Sequence, residues 1–397
     1  SVNAIGDNAF NSCNSLKEIM IPNSVTLIGN GTLMNCTSLE KITIPKSVNA
    51  IGDNAFNNCS SLKEITIPNS VIKLSIPSFI TFLGNNAFKN CKSLKEITFP
   101  SSVEEIGNNS FENCELLKEI NIPETVKSIG KNSFLRCSNI SKVTIKSLNI
   151  NIGEYSFNEC PNITEITIPT TININNPTTT ATIGTLFKGC TKLQRIIVIE
   201  GEKTIKQKSF QDLNMVEEIN LPLTLQSIES QSFENCSSLS KIIIPDSVTT
   251  INKNSFSGCS SLKVITVSSS IHKSQSSNSL NAIGDNAFLD CISLEEVTIP
   301  QSIVKIGNNA FKNCKLLTKI IIPESVNEIN SYAFMNCTSL KEIAIPNSVT
   351  LINSDAFKNC TSLEKITIPK SVNAIGDNAF NNCSSLKEIT IPNSVIK

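Results

Sequence analysis

Ile51-Gly-Asp-Asn-Ala-Phe-Asn-Asn-Cys-Ser-Ser-Leu-Lys-Glu-Ile-Thr-Ile-Pro68 is the stretch whose reading decides the fold. Its end, with Leu62, Ile65 and Ile67 separated by polar residues, alternates with the period of a short strand that buries one face. Pro68 has no N–H to give a ladder and stops that strand. Gly52, after the opening isoleucine, suits a backbone turn with positive φ. The segment Asn54 to Cys59 is too short for a free helix and predicts a single helical or 3₁₀ turn that drops Phe56 and Cys59 into a core.

Working outward, the same pattern recurs 16 times, with a consensus I-G-x-N-A-F-x-N-C-x-S-L-x-x-I-x-I-P-x-S-V-x-x of 23 residues. Units open at Ile5, Ile28, Ile51, Leu83, Ile106, Ile129, Ile152, Ile183, Ile205, Ile228, Ile251, Ile283, Ile306, Ile329, Ile352 and Ile375. Each buries too little to stand alone, so the coils must stack, and residues 1–397 read as a single solenoid with no separate domain. Three units, those opening at Ile51, Ile152 and Ile251, are longer, which places insertions at 72–82, 170–182 and 268–282. All three are expected between the proline position and the next opening isoleucine, projecting from one edge.

The run Ile51 to Pro68 resembles the unit of the BspA-like branch of the leucine-rich-repeat superfamily, and the resemblance covers the whole chain. It implies an α/β solenoid: a right-handed superhelix of about 16 coils, a parallel β-sheet on the concave face and short helical or 3₁₀ turns elsewhere. It also implies a bacterial or protist surface or secreted protein that binds host matrix or other cells. The resemblance says much about fold and little about task, because repeat scaffolds carry many unrelated functions.

Composition narrows the task further. With 34 Lys+Arg against 34 Asp+Glu and no run of like charge, the chain lacks the footprint for nucleic acid or an anionic membrane. Its longest apolar runs, such as Ile196 to Ile199, are far short of the ~20 residues of a membrane span, and no charged-then-apolar leader opens it. One histidine, His272, and no Trp leave most acid–base and metal constellations without their usual ingredient. The expectation is a non-enzymatic chain with no cofactor and no metal. The 15 cysteines support this, because all occupy one repeat position and the unit lacking one has Leu213 there. That column reads as a ladder of small apolar side chains; disulfide dihedrals and metal spacing both argue against linkage. Likewise 15 of 18 Phe share one column, with Leu33 in its gap.

Candidate binding residues are those facing away from the core. One outward strand column includes Glu64, Glu96, Glu119, Lys142, Glu165 and Arg195, and the column between the paired isoleucines is Thr in 9 of 16 units, Thr66 and Thr98 among them. These form either a solvated, salt-bridged face, with Lys63, Lys95 and Lys118 offsetting the run of Glu, or a docking surface for a protein ligand. The insertions add Phe79 and Phe82 in an apolar loop and His272 and Lys273 in a Ser-rich one, read either as mobile edge loops or as contacts. Ten Asn-x-Ser/Thr sequons occur, six of them just before the cysteine column (Asn35, Asn58, Asn235, Asn336, Asn359, Asn382), where Asn can bond the turn backbone. Residues 35–73 and 359–397 are identical, and the chain opens and closes on unit tails without a polar cap. That arrangement fits a segment of a longer array or open ends that stack, so two readings stand. One is an adhesion module using the concave face and edge loops. The alternative is a filament assembled end to end by self-association.

Overall fold

The computed structural model describes residues 2–45, 47–48, 50–62, 64–66, 81–99, 101–175, 182–267 and 280–396, with backbone alone at 50, 64–66, 173–175 and 267. Phe79, His272 and Lys273 lie outside the described residues. The chain divides into two compact units, residues 1–195 and 196–397. Both repeat one coil.

Each coil carries two short parallel strands. One is the strand expected before the proline: Glu119–Ile122, Lys142–Ile145 and Glu165–Ile168 pair in steps of 23 residues, Glu119 opposite Lys142 and Lys142 opposite Glu165. In residues 196–397 the equivalent strands are Glu218–Asn220, Lys241–Ile244 and Val264–Val267. A second sheet, which the repeat pattern did not announce, runs through the opening isoleucines. Its strands are two or three residues long, as in Leu27–Ile28, Ala50–Ile51 and Ser128–Ile129, and they pair coil to coil with Ile opposite Ile. Among the described residues the helix is four residues, Ile183–Leu186, so the chain is the expected leucine-rich-repeat solenoid of parallel strands, with short turns and almost no helix in the rest of each coil.

Apart from Ile183–Leu186, the described coils turn without a helix because residues in the left-handed conformation, most of them asparagines, interrupt the helical path. Asn54 and Asn58 have φ of 58° and 63°, and Asn86 and Asn90, Asn109 and Asn113 repeat the pair. A left-handed residue ends a helical turn, and Asn tolerates it best after Gly. The i to i+3 bonds of isolated turns remain, Cys59 N to Phe56 O at 3.2 Å and Leu62 N to Cys59 O at 3.1 Å. This corrects the assignment of positive φ to Gly52, which does not adopt it. Gly52 is small for another reason: a Cβ there would fall 2.6 Å from Asn30 Oδ1 and 2.7 Å from Asn30 N of the preceding coil. Where Asn replaces this glycine, its amide reaches back instead, Asn330 Nδ2 donating to Ile306 O at 2.7 Å and Asn252 Nδ2 to Ile228 O at 3.0 Å.

Stacking of identical positions makes the core. Phe88, Phe111, Phe134 and Phe157 stack with centroids 5.1 Å apart and near-parallel rings, and all are fully buried. Each such burial stabilises by roughly 1.5–3 kcal/mol. Beside them the cysteines donate S–H to the carbonyl of the Phe position one coil back: Cys114 to Phe88 O at 3.1 Å, Cys137 to Phe111 O at 3.0 Å, Cys259 to Phe233 O at 3.1 Å. The column is therefore apolar, as expected, with an additional donor role that Leu213 cannot fill. Burial pushes the Cys36 thiol up to about 11 and the Cys236 thiol up to about 12. Serines in the alanine position are satisfied twice, Ser110 Oγ donating to Gly107 O and Gly84 O at 2.5 and 3.2 Å.

The insertions do not all leave the coil at one point. Asn173–Asn175 pairs with Asn151–Gly153, Ile174 opposite Ile152, so Ile174 and not Ile183 opens that coil. Its additional residues fall between this strand and Phe187, whereas Ile51 pairs with Leu83 and Ile251 with Ile283 as expected.

Candidate functional site

What faces solvent on the first sheet follows from strand pleating: with Ile120 and Ile122 buried, Glu119 and Asn121 must point out. The same alternation exposes Glu96, Thr98 and Lys142, whereas Glu165 and Arg195 are half-buried. Glu64 and Thr66 sit in register in a four-stranded sheet with Glu96 and Thr98, Glu64 between Lys41 and Glu96 and Thr66 between Thr43 and Thr98, whereas Glu119, Lys142, Glu165 and Arg195 belong to the sheet that begins at Glu119. The predicted strand residues thus occupy equivalent register positions, divided between two sheets. Phe82 does not join them. It belongs to the strand Phe82–Leu83 of the second sheet, 38% exposed and opposite Glu105, rather than to an edge loop.

Three of these residues meet. Lys142 Nζ lies 2.7 Å from one oxygen of Glu165, and Arg195 Nη1 lies 3.5 Å from the other. The bond to Glu165 and its charge raise the Lys142 pKa above the ordinary range. A carboxylate shared by two cations on adjacent coils rigidifies this stretch, and it leaves a face of small hydroxyls and paired charge.

Residues 218–244 present a different face. Lys241 is opposite Val264, and Ile243, opposite Thr266, is 49% exposed where the column is usually Thr. Leu223, just past Pro222, is 77% exposed. With Glu217, Glu218, Asn220, Leu221, Lys241 and Pro245 they line a cleft of about 610 Å³. A second cleft, about 590 Å³, lies around Ile321, Ala344 and Thr367, and a third, about 400 Å³, around Thr98, Phe99, Asn121 and Lys146. All three flank proline loops that follow strands of this kind. Leu223, Ile243 and Ile321 were not among the candidates read from the sequence. The signal was there: each replaces a polar residue of the repeat by an aliphatic one without entering the core.

The asparagines before the cysteines form a ladder on each other rather than on the turn backbone, Asn58 Nδ2 to Asn35 Oδ1 at 3.0 Å and Asn359 Nδ2 to Asn336 Oδ1 at 2.7 Å. Their recurrence is thereby structural. No group of three or more His, Cys, Asp or Glu among the described residues could hold a metal ion, and no described helix is long and apolar enough to cross a membrane.

Set beside known proteins, the chain matches the family model of the BspA type leucine rich repeat region over residues 1–79, 70–179, 182–281 and 281–397. Among solved structures it is similar to a leucine-rich repeat protein from Bacteroides ovatus (28% identity, 99% of this chain and 83% of that one, TM-score 0.45). A leucine rich cell surface protein from Faecalibacterium prausnitzii is similar at 27% identity, covering 98% and 82%, with TM-score 0.34. The pneumococcal vaccine antigen PcpA is similar at 20% identity, covering 92% and 94%, with TM-score 0.35. No curated protein matches. With the family model spanning nearly every residue and the coil geometry that its repeat requires, this chain belongs to the BspA-type leucine-rich repeat family.

Proposed function

We propose that this chain is a non-enzymatic protein-binding module of a cell-surface or secreted protein, which adheres to a host matrix or cell-surface protein through the outward columns of its first sheet. The observation that supports this most is the contrast between faces of one strand. Inward positions repeat Ile or Val with little variation, whereas outward ones (Glu96, Thr98, Glu119, Lys142, Glu165, Arg195, with Glu64 and Thr66 in register) vary in charge and size on a rigid backbone. A regular scaffold with a varied solvent face is suited to recognition, and the family's surface-protein relatives agree with that use.

The test is binding of the full chain to an immobilised panel of extracellular-matrix proteins, followed by surface plasmon resonance. Saturable binding to at least one protein, weakened tenfold or more by Glu119→Lys with Glu165→Lys or by substitutions in the clefts of the same sheet, is the expected result. Binding indifferent to every change on this sheet would overturn the reading.

A further inference from the structure

Sixteen copies of one coil give each position its own internal standard, and against that standard two departures converge. The residue after the proline is polar in every unit that has the proline, as in Asn23, Ser101, Glu124 and Asp246, with the single exception of Leu223. In the neighbouring coil the outward strand position, most often Thr, is Ile243. Neither serves folding, since Leu223 is 77% and Ile243 49% exposed. The two line the same cleft, together with Leu221 and Pro245. Two exposed aliphatic side chains on one cleft make a site that can receive an apolar group of a partner.

The charge around the cleft says what enters. Glu217 and Glu218 line it against Lys241, and Glu200 Oε1 accepts from the Leu223 N–H at 3.4 Å, bringing a third carboxylate to the rim. About 610 Å³ lies within the range of small-ligand pockets and takes an anchor side chain together with the short segment that presents it. We propose that Leu221, Leu223 and Ile243 form an anchor pocket for one bulky apolar side chain of a protein partner, presented by a segment with Lys or Arg beside it. This rests on the first sheet being the binding face, and it names the place on that face where the contact is strongest. A buried apolar anchor ringed by charge is the usual form of an interface hot spot.

An array of synthetic twelve-residue peptides tests it with the full chain. One set carries Leu, Ile, Phe or Trp next to Lys or Arg, a second carries the same apolar residues next to Asp or Glu, and a third is wholly polar. The expected result is that the basic-flanked set binds at least tenfold more tightly than the other two, and that Leu223→Ser or Ile243→Thr removes at least tenfold of that affinity. Both residues are exposed, so circular dichroism and the urea midpoint should match the parent chain. Equal binding of the acidic-flanked set, undiminished binding by both variants, or no binding by any peptide would overturn the pocket. If peptide binding is instead lost in the Glu119→Lys, Glu165→Lys variant, the pocket falls while the face remains the binding surface. Binding lost in none of these variants places recognition off this sheet, and both readings fall. Sedimentation velocity separates one further occupant: a dimer abolished by Leu223→Ser would make the occupant a second copy of this chain and overturn the proposal.

Discussion

Residues 119–168 and 218–244 carry the equivalent strands of a repeated coil, yet they differ where those strands face water. The first stretch offers Asn121, Thr144 and Thr167 beside the Lys142–Glu165–Arg195 cluster; the second offers Ile243 and Leu223 beside Glu217 and Glu218. Their Phe and Cys columns do not differ. Phe134 and Phe157 stack at 5.1 Å and Phe233 and Phe256 at 4.9 Å, and Cys137 and Cys259 make the same thiol bond. Core positions are held by every neighbour at once, so they cannot drift. Outward positions answer only to solvent and partner, and a difference there marks a difference in use.

The sharpest way to break this comparison is in the core. Phe134→Ala and Phe233→Ala should each cost about 3–5 kcal/mol in urea unfolding, by lost burial and cavity formation. The two values should agree to within about 1 kcal/mol, because both rings sit in the same kind of stack, and a larger gap would show that the interiors differ after all. Next comes alkaline pH. Thiols in both units titrate higher folded than unfolded: Cys36 and Cys190 are pushed up to about 11 and about 12, and Cys236 to about 12, burial being the cause in each. The unfolded chain releases these protons first, so the stability they contribute is whole below pH 9 and declines as pH rises toward 11–12. A urea midpoint that rose over that interval would contradict the buried, unlinked thiol column. Alkylation at pH 8 should modify exposed Cys13 first and the buried cysteines only after unfolding.

Smaller effects test the faces. Leu223→Ser should leave stability within about 0.5 kcal/mol of the parent while Thr144→Ile, which imports the aliphatic character into the other stretch, should raise binding of an apolar dye such as ANS. If dye binding follows neither change, exposed aliphatic character is not what separates the two faces. Smallest of all, Lys142→Ala should shift the urea midpoint only slightly, and less still in high salt, since the pair is half solvated. A shift as large as that of Phe134→Ala would mean that Glu165 is a structural keystone rather than part of a solvent face.

How much of this could be read from the sequence depends on how many residues carried each signal. The period of 23, the proline stop and the Phe and Cys columns were legible because each is repeated many times and each side chain has one plausible place. The second sheet was not, because a two-residue strand such as Ser128–Ile129 is shorter than one period of alternation. Assigning positive φ to Gly52 followed a sound preference at the wrong position. The coil uses Asn54 and Asn58 for that conformation, and it keeps the glycine because Asn30 comes too close. Ile183 precedes a glycine and so reads as a coil opening, whereas pairing selects Ile174, whose flanking asparagines hide it. On the candidate face the column was legible and its hot spot was not: consensus averages over copies, and Leu223 and Ile243 matter by departing from it.

The thiol bond has a consequence for how such a chain changes length. Cys59 donates to Leu33 O and Cys383 to Phe357 O, both at 3.2 Å, although these cysteines lie in stretches of identical sequence and face different residues. The acceptor is a main-chain carbonyl, which every residue supplies. A coil copied from one place in the gene to another therefore finds its contacts waiting, and replication slippage by multiples of 23 codons can lengthen or shorten the array without any compensating substitution.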